Sequence, residues 1–128
     1  MNRATKIVVG LLGAAAVAVV AVVTACVNES NRRDAMRQGL ESKAAVLKAE
    51  LMDRFPVGSP KSDVVAFLDA RATGFRSGGE GDYWLSVGQE PGRLSEWYCG
   101  KWEVGVEATF RKGLFVRADV TRWSTDCL

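Results

Sequence analysis

Seventeen consecutive residues, Ile7 to Val23, carry no charge and nothing more polar than glycine. A run of that kind is either removed from the chain or buried in a bilayer. It follows Arg3, Lys6 and the N-terminal amine, the basic-then-apolar order of a secretory signal. It is also just long enough to cross a membrane, which takes about 20 apolar residues. On either reading the rest of the chain lies on the far side of a membrane. Residues 1–25 are therefore a signal or anchor, and fold reasoning starts after them.

Composition changes at Cys26. Residues 26–33 read as a polar tether, and residues 34–128 as one small domain. The whole chain has a net charge of +2, but both excess positive charges, Arg3 and Lys6, precede the domain. From Cys26 onward the 15 basic and 15 acidic residues balance. The basic pI is thus a property of the leader and gives no support to a nucleic-acid partner.

The three cysteines are Cys26, Cys99 and Cys127. Val23-Thr24-Ala25-Cys26 resembles a bacterial lipobox. The resemblance implies cleavage before Cys26 and lipidation of its thiol, which leaves an even pair, Cys99 and Cys127. Val27 then leans towards outer-membrane delivery. The alternative is Cys26 at the end of an uncleaved transmembrane helix.

Within the domain, Met36, Leu40, Ala44, Leu47, Leu51 and Phe55 recur at helical steps and end at Pro56. Ser59 and Pro60 suit the start of a second helix, with Val64, Phe67 and Leu68 on its apolar face and Gly74 closing it. Residues 74–82 read as a flexible loop and Glu90-Pro91-Gly92 as a turn. Strands follow the alternation of Tyr83, Leu85 and Val87, then of Trp102 to Phe110, then of Leu114 to Val120. A three-residue loop, Arg111-Lys112-Gly113, pairs Phe110 with Leu114, Ala108 with Val116 and Val104 with Val120. That register brings Cys99 opposite Thr125, one diagonal step from Cys127, so a disulfide is reachable. The expected fold is α+β: two N-terminal helices packed on a three-stranded antiparallel sheet, behind a signal or anchor.

The segment FPVGSPKSDVVAFLDA, then Trp97-Tyr98, then VGVEATF and a glycine, resembles the SmpA/OmlA (BamE-like) group of small envelope lipoproteins over about residues 55–122. The resemblance implies a two-helix, three-strand fold and a role in envelope assembly. Here Trp97 and Tyr98 adjoin, the first helix is longer, and the Cys99/Cys127 pair is additional to the group's pattern.

The chain contains no histidine, which removes histidine-based triads and most transition-metal sites. No catalytic residue, metal site or cofactor is expected. Glu103 and Glu107 share a strand face and read as solvating groups. On the outer face of the last strand stand Phe115, Arg117, Asp119 and Trp123, with Trp97 at the same parity. Aromatics with arginine are enriched at protein interfaces, so these five are the candidate partner-binding residues. The expectation is a non-catalytic, membrane-tethered interaction or envelope-maintenance module of the bacterial cell envelope. The membrane holds it through lipid or helix, and a protein partner binds the sheet. An outer-membrane, periplasm-facing site is favoured, with an inner-membrane anchor as alternative. The competing expectation is a single-pass small-ligand binder or enzyme using loop 74–82 with Glu80, Asp82 and Glu103.

Overall fold

The computed structural model describes residues 2–71, 76–78, 81–124 and 126–128. It divides into two compact units, residues 1–32 and residues 33–128. In the first unit the apolar run is helical and unburied. It is long and apolar enough to cross a membrane. Residues 28–33, expected as a tether, are helical too, because helix α1 runs Arg3–Arg54. No proline or glycine interrupts them, and Arg32 pairs with Glu29 one turn away at 2.9 Å.

The second unit is α+β. Its elements are the remainder of α1, helix α2 (Lys61–Ala70), and strands β1 (Arg76–Gly78), β2 (Tyr83–Pro91), β3 (Lys101–Arg111) and β4 (Leu114–Trp123). The strands form one antiparallel sheet in the order β1-β2-β3-β4. The three long strands are those expected; β1 adds a short edge within the segment taken as loop. Residues 72–75, including the expected cap Gly74, and residues 79–80 lie outside the described residues.

The helical stripe behaves as its period requires. Ala44, Leu47 and Leu51 are buried, Leu40 and Phe55 are partly buried, and Met36 at the end is exposed. They meet Val64, Phe67 and Leu68 of α2 and Leu85, Val104, Val106, Ala108 and Phe110 of the sheet. Each large side chain so buried contributes about 1.5–3 kcal/mol. Phe55 and Phe67 meet edge to face at 5.3 Å. Helix α2 starts differently from expectation. Ser59 donates to the carbonyl of Pro56 and does not cap the helix.

The turn between the helices does something else. Gly58 N–H donates to Phe115 O at 2.8 Å, Phe115 N–H to Ser59 O at 2.8 Å, and Lys61 N–H to Gly113 O at 2.9 Å. The turn thereby runs alongside the start of β4. Gly58 has φ +96°, a conformation glycine adopts freely.

The β3–β4 hairpin departs from its expected register by two residues. Arg111 pairs with Leu114, so the loop is Lys112-Gly113, both with positive φ. A bulge at Val116 then adds one more residue on β4. Ala108 faces Ala118, Val106 faces Val120, and Val104 faces Arg122. The same displacement sets Cys99 directly opposite Cys127. They form a disulfide with Cα atoms 4.1 Å apart. Glu90 and Pro91, expected in a turn, instead continue β2 opposite Trp102 and Lys101.

Candidate functional site: the uncovered sheet face and the stapled end

One face of the sheet packs on the helices in the core, and the other is turned away from that core. On the second face β3 presents Glu103, Gly105, Glu107 and Thr109. β4 contributes Arg117, Asp119, Thr121 and Trp123, and β2 contributes Trp84, Ser86 and Gln89. Trp84 stands opposite Glu107, and Trp123 opposite Glu103, so Gly105 lies between them on β3. The indoles meet across that strand at 6.4 Å with a 33° tilt. A Cβ on Gly105 would fall 1.9 Å from the Leu85 carbonyl oxygen, so the close strand approach needs glycine.

Glu103 is 5% exposed. Its carboxylate accepts hydrogen bonds from the Ser86 hydroxyl and the Gln89 amide. That arrangement satisfies a buried charge locally. Glu107 and Asp119 face each other as like charges. Arg117, 3.1 Å from Asp119, and Lys48, 3.6 Å from it, offset the repulsion. The face is therefore an aromatic centre with a rim of mixed charge.

On the opposite face, beside Trp123, the character changes. Arg122 points to the helix side and joins Glu90 at 2.5 Å. Two further bonds to Glu96, at 2.8 and 3.0 Å, form a bidentate pair. Its guanidinium lies 4.0 Å from the Trp102 ring centre. Hydrogen bonds from Arg122 hold the Glu96 carboxyl down at about 2, and the same bonds raise the guanidinium pKa. Beside this network lie two adjoining depressions, of about 270 Å³ and 340 Å³. Pro91 and Gly100 line both. Arg33, Arg93 and Trp97 border the first, and Met36 and Lys101 the second.

The expected partner residues thus separate. Arg117, Asp119 and Trp123 share the open sheet face. Trp97 stands apart at the stapled end, 79% exposed and edge-on to Tyr98 at 6.4 Å. Phe115, expected on the outer face, is wholly buried and packs on Phe110 at 6.0 Å. The Val116 bulge is the reason, since it reverses the parity of every earlier residue on β4. Trp84 was missed, although its parity already set it opposite buried Tyr83 and Leu85. The Arg122 cluster was missed because Glu90, Glu96 and Arg122 come from three separate segments.

For the ligand-binding expectation, Glu80 lies outside the described residues and Glu103 is buried and bonded. Asp82 is exposed and accepts from the Phe110 N–H at 3.4 Å. Among the described residues no group of three or more acidic, cysteine or histidine side chains is placed to hold a metal. Cys26 is exposed on α1 and unbonded to another cysteine. No family model, curated protein or solved structure matches the chain.

Proposed function

We propose that the chain is a membrane-tethered, non-catalytic interaction module of the bacterial cell envelope, with its α+β head outside the cytoplasm. One observation carries the reading: a head closed by the Cys99–Cys127 disulfide follows a helix able to cross a membrane. Persistent disulfides belong to oxidising compartments, so the staple supplies the orientation. Flanking charge does not, because Arg3 and Lys6 on one side are matched by Arg32 and Arg33 on the other. The open sheet face with Trp84, Trp123, Arg117 and Asp119 is the surface assigned to a protein partner. The order helix, helix, three long strands agrees with what the SmpA/OmlA-like resemblance implies, and supports an envelope-assembly or maintenance role in that group's manner.

Lipidation at Cys26, after the lipobox-like Val23-Thr24-Ala25, is the form of tether this reading favours, with delivery to the outer membrane. The unbroken helix through residues 24–33 favours a second form, an uncleaved span in the inner membrane. Intact-mass measurement of protein extracted from membranes separates them: a chain starting at Cys26 with added acyl mass, or one starting at Met1. A head found in the cytoplasm, with both thiols of Cys99 and Cys127 free, would sink the proposal in either form.

The interaction surface is tested with a photo-reactive amino acid at Trp84 and, as a control, at exposed Lys43 on α1. Adducts with another envelope protein are expected from position 84 and not from 43. Equal adducts from both, or none from 84, remove the sheet face as the binding surface.

A further inference from the structure

We infer that the stapled end of the head seats on the lipid headgroups of the membrane that tethers it, with Trp97 as its interfacial anchor. The inference rests on the tether reading above and adds to it a second, non-covalent contact.

Chain length comes first. Whether Cys26 carries lipid or ends a span, it marks the membrane surface. Seven residues on is Arg33, the first residue of the head. Seven residues reach at most about 25 Å when fully extended and about 10 Å when helical. The headgroup layer itself adds about 5–8 Å beyond the hydrocarbon. The part of the head that holds Arg33 therefore cannot leave the neighbourhood of the bilayer.

The structure identifies that part. Arg33 donates to the carbonyl of Gly92, and it lines the same depression as Arg93 and Trp97. So the segment 91–101 is held at the tethered edge of the head. That segment displays Trp97 at 79% and Tyr98 at 46% exposure, in edge-to-face contact. A large, fully presented indole beside a tyrosine costs free energy in water, and both rings are suited to the bilayer interface.

Charge points the same way. Arg93 and Lys101 are exposed around the depressions. The nearby carboxylates of Glu90 and Glu96 share one cation, Arg122, so a single negative charge is left against the rim of Arg33, Arg93 and Lys101. Asp126 offsets part of it. Basic side chains flanking interfacial aromatics are the composition that meets phosphate headgroups at an anionic surface. A protein partner at this end would have to share a gap of about 25 Å or less with the membrane.

The test uses the full chain in vesicles of phosphatidylcholine with phosphatidylserine, carrying a nitroxide quencher near the headgroup. Tryptophan emission is compared for the wild type, Trp97→Ala and the pair Arg93→Glu, Lys101→Glu. All three positions are exposed, so folding should survive, and the Cys99–Cys127 bond can be checked by mass. The expected result is quenching in the wild type that falls by more than half in Trp97→Ala. The charge-reversed pair should lose it in phosphatidylserine vesicles and less in phosphatidylcholine alone. Equal quenching in wild type and Trp97→Ala, or none in the wild type, overturns the inference. Retention after alkaline washing is measured on the same vesicles. Protein that stays while Trp97 is unquenched overturns the seating alone; protein that washes off overturns the tether reading with it.

Discussion

The two ends of the β3–β4 hairpin are held by different physics. At the turn end, Phe110 and Phe115 enter the core shared with both helices, and that core is apolar. At the open end, the polar side chains of Glu90 and Glu103 are buried, and Arg122, Glu96 and the disulfide do the fastening. The helix stripe explains the change. Its buried stretch runs from Ala44 to Leu51, and towards Met36 it is already exposed. Where helix cover ends, apolar burial ends too, and cross-links take over. A domain of about 100 residues has little core to spare, and a staple where the core stops is the economical place for one.

Substitutions can break that contrast. Phe115→Ala, at the apolar end, should lose about 3–5 kcal/mol, read as a lower urea midpoint at unchanged slope. A loss under about 1 kcal/mol would mean that Phe115 is not a core residue. Arg122→Met should cost about 3–4 kcal/mol, because it strands Glu90 as an uncompensated buried charge. Adding Glu90→Gln to that variant should restore part of the loss, whereas adding it to Phe115→Ala should not. Converting Cys99 and Cys127 together to Ala should cost about 3 kcal/mol through the freed loop. The loss should appear mainly as faster hydrogen exchange at the open end, with the turn end retaining its protection.

The smallest expected effect is acid sensitivity. The Glu96 carboxyl sits at about 2 in the fold against an ordinary 4.5. A folded value below the unfolded one means its stabilisation is complete above about 4.5 and is lost as pH falls towards 2. The loss should be on the order of 2 kcal/mol across that window. Glu96→Gln should flatten that part of the stability profile. An unchanged profile would show that the pair with Arg122 is not maintained in solution.

Much of this was readable in advance, and the failures have specific causes. The α1 stripe and the alternation of β3 follow directly from side-chain period, so the layers and the buried face were legible. The register was not. Phe115 and Val116 are both apolar, so alternation carries no mark of which is the bulged residue. Pro91 read as a turn because proline is excluded from interior strands. Yet β1 covers β2 only from Tyr83 to Leu85, so at Pro91 β2 is an edge, where proline is tolerated. The disulfide was legible because a displacement of two preserves parity and keeps both cysteines on one face. The candidate surface was half legible: Arg117, Asp119 and Trp123 lie beyond the bulge and kept their parity, and Phe115 lies before it and did not. The Glu90–Glu96–Arg122 cluster has no local spacing and only folding assembles it.

The turn that runs beside β4 has a consequence for how two copies of the chain can meet. An exposed strand edge is a template on which a second chain can add its own strand, and tethering to a surface raises the frequency of such encounters. The first stretch of that edge, Leu114-Phe115, is already occupied by Gly58 to Lys61 of the same chain. Farther along, Arg117, Asp119 and Arg122 put charge where a neighbour would have to align. The six residues between the two helices thus cover the part of that edge on which a second strand could otherwise add. Lengthening that connection would remove the cover without touching the core.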